Sequence, residues 1–199
     1  AMTLMNGDYV HWIDGACRFT PARIIQTFPH TLPDCEQLLH GLFVGRGFTV
    51  HQFSHLVQRL QAEIKITKAK LIVVDGPLTM HLDPQIGNYE ARSLFRKTID
   101  LLKKIADEND VGIVLITSSK VHSRRHSHLL TMVKNRCQAS LLGKRRRIQG
   151  QKKMWLFHIP TRSSGYRKEI TPQQTLHESI SRVIDLSLIH ISEPTRPSS

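Results

Sequence analysis

Two aspartates stand directly behind apolar runs. Residues 71–74 (Leu-Ile-Val-Val), three of them β-branched, lead into Asp75 and then Gly76-Pro77, and residues 9–13 (Tyr-Val-His-Trp-Ile) lead into Asp14. A short continuous apolar run fits a strand buried on both faces. A carboxylate at the carboxyl end of such a strand faces the crevice where open α/β sheets bind ligands. In nucleotide hydrolases a carboxylate so placed holds magnesium through water; the plainer alternative is an Asp that caps the following turn. Asp83 follows in a polar connection, 83–88, that carries Pro84 and Gly87 and is too long for an ordinary βα turn. Convergence of Asp14, Asp75 and Asp83 would make a nuclease-like metal site, although the spacing sets no Lys or His base beside them.

A second group is cationic. Of 28 Lys and Arg residues, fourteen lie in 120–168, where there is no Asp or Glu, so the excess of the +12 net charge falls in one quarter of the chain. Solvated basic faces ordinarily intersperse acids, and their absence over this length points to a polyanion partner. Lys144, Arg145, Arg146 and Arg147 are its densest point, with Lys120, Arg124 and Arg125 upstream. His122, His126 and His128 have no Cys or carboxylate nearby in the sequence and read as loop histidines rather than metal ligands. His51 and His55, one helical turn apart, read as partly exposed helix residues, and Trp12 and Trp155 as core.

The elements that must position these groups follow from periodicity. Strands are expected at 9–13, 42–44, 71–75 and 112–116. Between them, Thr20-Pro21 opens a helix carrying Ile24, Ile25 and Phe28, and 31–39 reads as a second short helix. Thr49 caps a helix bearing Phe53, Leu56, Val57, Leu60 and Ile64, and residues 89–107 form a long helix. This alternation implies right-handed crossovers and a parallel sheet. Residues 120–128 read as a polar loop, followed by a short helical piece at 129–135. Hairpin spacing then replaces crossover spacing: strands at 139–142 and 154–159 flank 143–153, with the basic run at the tip and a further strand at 165–170. The expected fold is α/β, a mainly parallel central sheet flanked by helices with an antiparallel edge hairpin. Residues 171–184 read as a last helix, so that 1–185 make one domain. The Pro- and Ser-rich 186–199 read as an unstructured, adapter-derived tail.

With 199 residues and 40% hydrophobic content the chain can bury a full core. Its three cysteines show neither zinc nor disulfide spacing, which fits a reducing compartment. No apolar run nears the roughly 18 residues of a membrane span, and no signal peptide is visible. A soluble protein of the cytoplasm or nucleoid is expected.

The segments 12–24 (W-I-D-G-A-C-R-F-T-P-A-R-I), 71–76 (L-I-V-V-D-G) and 114–119 (V-L-I-T-S-S), in this order, resemble the core of the RecA/RadA recombinase family over residues 8–170. The resemblance implies a RecA-like fold, with Phe19, Pro21 and Arg23 keeping the family's Phe-x-Pro-x-Arg helix start. It makes Asp75 the Walker B aspartate on the magnesium side and Thr117, Ser118 and Ser119 the polar strand end that senses the nucleotide's terminal phosphate. It sets residues 80–90 and 120–130 at the family's two DNA-binding loops, with Lys120, Arg124 and Arg125 as contacts. The basic hairpin, Lys144 to Arg147, would add phosphate contacts that carry affinity without sequence information.

Three departures qualify what the resemblance implies. The phosphate-cradling G-x-x-x-x-G-K-[ST] loop is absent and would precede residue 1, so ATP and magnesium are expected in an intact parent and not in this chain. Ala16 stands at the position of the glutamate that activates water, and a methyl group cannot orient water. Ser118 and Ser119 replace an amide pair. The expected function is DNA binding by a recombination or repair protein whose parent binds ATP but does not hydrolyse it. Single-stranded DNA is the expected partner, then double-stranded DNA, with a recombinase partner or further copies of the chain. Two alternatives stay open: an active DNA-dependent ATPase that forms filaments, and an RNA-binding or metal-dependent nuclease domain.

Overall fold

The computed structural model of the protein describes residues 1–29, 31–32, 35–148 and 151–168. Four parallel strands, β1 (Val10–Asp14), β2 (Leu42–Arg46), β3 (Leu71–Asp75) and β4 (Gly112–Ile116), make one sheet in the order β2-β1-β3-β4. The expected parallel core is therefore present, with the 71–75 strand inside it. The apolar run explains that position. Ile72 and Val74 enter one hydrophobic cluster and Val73 the other, so β3 is covered on both faces.

Helix α1 (Met2–Met5), helix α2 (Pro21–Ile25) and a 3-10 turn (Gln37–Gly41) precede β2. Leu4, Val10, Phe28 and Val73, with Trp12, Ile24 and Leu38 against them, form the smaller cluster. The larger one lies under α3 (Val50–Thr67), α4 (Asn88–Asn109) and α5 (Arg124–Lys134). Helix α3 buries Val50, Phe53, Val57, Leu60 and Ile64, an apolar stripe at spacings of three and four. Its start is fixed by Thr49, whose side chain accepts from the Gln52 amide at 3.2 Å, and its end by Lys68 at φ +53°. Helix α4 turns Phe95, Ile99, Leu102 and Ile105 to the same core. Each such side chain contributes roughly 1.5–3 kcal/mol of transfer free energy, and the two stripes pack against one face of the sheet through Ile13, Ile72 and Val74.

Local expectations needed correction. Residues 124–128 are helix rather than loop, because Ser123 caps α5 by accepting from the His126 amide at 3.1 Å. The segment 31–39 yields a 3-10 turn at Gln37–Gly41, with residues 33–34 outside the described set. Strands β5 (Leu141–Ile148), β6 (Gln151–His158) and β7 (Ser163–Lys168) form a separate antiparallel three-stranded sheet rather than lengthening the four-stranded one. The basic run thus lies along β5 and not at a hairpin tip. Charges do not break a strand where their side chains reach water, and Lys144, Arg145, Arg146 and Arg147 are all exposed. Two compact units divide the chain: Ala1–Gly143 with Leu156–Gly165, and a second whose described residues are 144–148, 151–155 and 166–168. The expected helix at 171–184 and tail at 186–199 lie outside the described residues.

Candidate functional site

The parallel register brings the acidic strand ends together. Asp14 on β1 is the partner of Asp75 on β3 and of Arg46 on β2, and Asp75 is the partner of Ile116 on β4. Asp14 is fully buried. Its Oδ1 accepts from the Arg18 amide at 3.1 Å, and its Oδ2 accepts from the Phe19 amide at 3.0 Å and from Arg46 Nε at 2.9 Å. The chain after β1 therefore curls around this carboxylate, with Cys17 in the left-handed region at φ +53°. Asp75 is gripped from outside: Arg18 donates from Nε to Oδ2 at 2.8 Å and from Nη2 to Oδ1. That hydrogen bond raises the Arg18 pKa above an ordinary arginine's, against a smaller lowering by partial burial.

The two loops behind the carboxylates are tied by main chain. The Asp75 carbonyl accepts from the Gly15 amide at 2.8 Å and the Ala16 amide at 3.1 Å, while the Gly76 amide donates to the Ile116 carbonyl at 3.0 Å. Gly76 sits at φ +66°, and a Cβ there would lie 2.6 Å from the Ala16 methyl, so only glycine fits. Thr117, half-buried, and Ser118 and Ser119, exposed, follow β4 at the same sheet end. Ser118 Oγ accepts from the Lys120 amide at 3.2 Å.

These residues do not fit a magnesium–nucleotide complex. Such an ion is held through carboxylates and phosphates, with its remaining positions kept by water. Both Asp75 oxygens accept from Arg18, both Asp14 oxygens have donors, and position 16 offers a methyl group. Asp83 instead closes a local turn, its Oδ1 accepting from the Gln85 amide at 2.8 Å. Among the described residues no group of three or more His, Cys, Asp or Glu is placed to hold a metal, so the convergence required by the nuclease alternative is not met.

On the same side of the sequence map, Arg125 stands in the first turn of α5, where a cation opposes the helix dipole. It is compensated by a fan of acceptors: Nε donates to Asn88 Oδ1 at 2.6 Å, Nη1 to the carbonyls of Asp83 at 2.8 Å and His81 at 3.4 Å, and Nη2 to the Ile86 carbonyl at 2.8 Å. Arg125 thereby ties the connection after Met80–Leu82 to α5. Arg124 and Lys120 are exposed. His126 is buried and stacks on His122 at 5.8 Å; burial first, and His122 second, lower its pKa. His51 and His55 are exposed on α3. On β5, the Arg146 guanidinium lies over the Trp155 ring at 6.0 Å, and Trp155 is half-buried. Strand alternation puts Lys144 on that same face.

Sequence reasoning missed three residues. Arg18 and Arg46 became visible only through register, although Arg18 lies four residues beyond Asp14. His81 is fully buried between Phe53 and Phe95, with its Nδ1 at 3.1 Å from the Pro77 carbonyl and its Nε2 without a partner. Burial lowers its pKa to about 4. The signal was its place in an apolar context, Leu78 to Leu82. The Rad51 family model matches residues 3–138. No curated protein matches the chain.

Proposed function

The chain belongs to the Rad51 family, part of the RecA/RadA recombinases, and from that premise we propose that it is a single-stranded DNA-binding accessory module that does not hydrolyse ATP. Members of the family are RecA-like recombination and repair proteins that bind DNA and, in general, ATP with magnesium, and they form oligomeric filaments. One observation carries the finer reading: Lys120, Arg124 and Lys144 to Arg147 are all exposed, in a stretch, 120–168, whose sequence contains no Asp or Glu. Such cations neutralise phosphates, release counterions and give affinity without base readout. Ala16 supports the second half, since no side chain at that position can orient an attacking water. Placement in the cytoplasm or nucleoid, and association with a recombinase or with further copies, belong to the same proposal; no helix among the described residues is long and apolar enough to cross a membrane.

Titration of labelled single- and double-stranded oligonucleotides at two salt concentrations tests it. Replacing Lys144, Arg145, Arg146 and Arg147 with Ala should weaken binding to all sequences alike and flatten the salt slope by about 0.7 per lost contact on single strands. An unchanged slope removes the hairpin from the interface. ATP turnover that disappears on Asp75→Ala would overturn the non-hydrolysing half.

A further inference from the structure

We propose that Arg18 is the resident cation of the strand-end site: its guanidinium takes the place at Asp75 that a divalent ion takes at such carboxylates, and closes it to metal. Three observations converge. The contact is a fork, two donors on two oxygens, which is the geometry that binds a carboxylate most strongly. Arg18 is anchored at both ends, since its amide donates to Asp14 while its side chain holds Asp75. The charges also balance. Asp14 and Asp75 lie opposite each other on neighbouring strands, which in any sheet run about 4.8 Å apart, and would repel unless each is neutralised. Arg46 serves Asp14 and Arg18 serves Asp75, so an incoming dication meets a site of no net charge instead of two negative charges.

Exposure shows the direction of the seal. The Asp75 side chain is 7% exposed and that of Arg18 54%, so the guanidinium forms the outer wall between carboxylate and solvent. The inference goes beyond DNA binding and does not depend on it. Its content is that this sheet end is held without metal, and that one side chain separates it from a metal-responsive site.

Mn2+ is the probe, with sodium chloride at matched ionic strength as reference. Thermal unfolding of the unsubstituted chain should not respond to Mn2+ beyond that reference, and its Mn2+ electron paramagnetic resonance signal should remain that of the free ion. Arg18→Ala should unfold at lower temperature and recover about 3–6 °C once Mn2+ exceeds its Kd about tenfold. The double variant Arg18→Ala with Asp75→Asn should not recover. Arg18→Gln, which preserves bulk, repeats the test should the alanine variant not fold. Mn2+ bound by the unsubstituted chain and lost on Asp75→Asn overturns the proposal, as does a folded Arg18 variant with no Mn2+ response. DNA titration of the same samples reads the accessory-module proposal separately, because Arg18 lies outside the basic stretch.

Discussion

Arg125→Ala separates two roles for a cation that the family resemblance makes a candidate DNA contact. Three of its four contacts are well formed, at 2.6, 2.8 and 2.8 Å, and the fourth, at 3.4 Å, is weak. Hydrogen bonds from a charged donor contribute about 1.5–3 kcal/mol each, but Arg125 is half-buried and the released carbonyls can reach water, so about 1 kcal/mol each is the better figure. The connection at 83–87 should therefore lose about 2–3 kcal/mol of local order. Global stability should fall less, since removing a cation from the α5 start returns about 0.3–1 kcal/mol. Hydrogen exchange at the Gln85 and Ile86 amides, which bond to Asp83, reads the local term, and a loss of 2 kcal/mol corresponds to about thirtyfold faster exchange. Arg125→Lys should recover little, because a single ammonium cannot span the fan, and Arg124→Ala should leave these amides unchanged. DNA affinity should drop with an unaltered salt slope, as expected when loop order and not a phosphate contact is lost. Unchanged exchange at Gln85 and Ile86, or a salt slope lowered as by a lost phosphate contact, would refute the clamp.

Two further outcomes follow from the buried polar groups. Asp14→Ala strands the Arg18 and Phe19 amides and releases Arg46, and should cost about 3–5 kcal/mol, a large share of a domain's usual 5–15 kcal/mol or so; a urea midpoint shift worth less than about 1 kcal/mol would contradict that accounting. His81 titrates at about 4 in the fold against 6.5 unfolded, so between these values the unfolded chain binds more protons. Its contribution is complete above about pH 6.5, declines as pH falls through the window and levels off near 4, amounting to roughly 3 kcal/mol; His81→Leu should flatten that part of the stability–pH curve, and equal slopes would show that His81 is not its source.

The parallel core was legible because each of its strands is a compact apolar run and each long helix carries a stripe at helical spacing. Asp14 and Asp75 were legible as strand ends for the same reason. Their partners were not. Arg46 reaches Asp14 through the β1–β2 register, a pairing between segments over thirty residues apart that local periodicity does not encode. Arg125 read as a free cation because its acceptors are main-chain carbonyls, which every residue possesses and no sequence pattern marks. The basic run was misplaced at a turn because four consecutive charges suppress the alternation that identifies a strand, although a stretch of strand whose side chains reach water needs none.

The ions at the sheet end form a row across three strands: Arg46 on β2, Asp14 on β1, then Arg18 against Asp75 on β3. Its members come from three separated segments of the chain, so the row exists only after both crossovers have closed. A slip of one residue in either pairing would turn each side chain to the opposite face of its strand and leave a buried carboxylate without its counter-ion. The row is thus a proofreading lock on strand alignment. Interactions formed after the transition state act on the unfolding rate, so a row that forms only once both pairings are in register should weigh on the lifetime of the native state more than on the speed of reaching it.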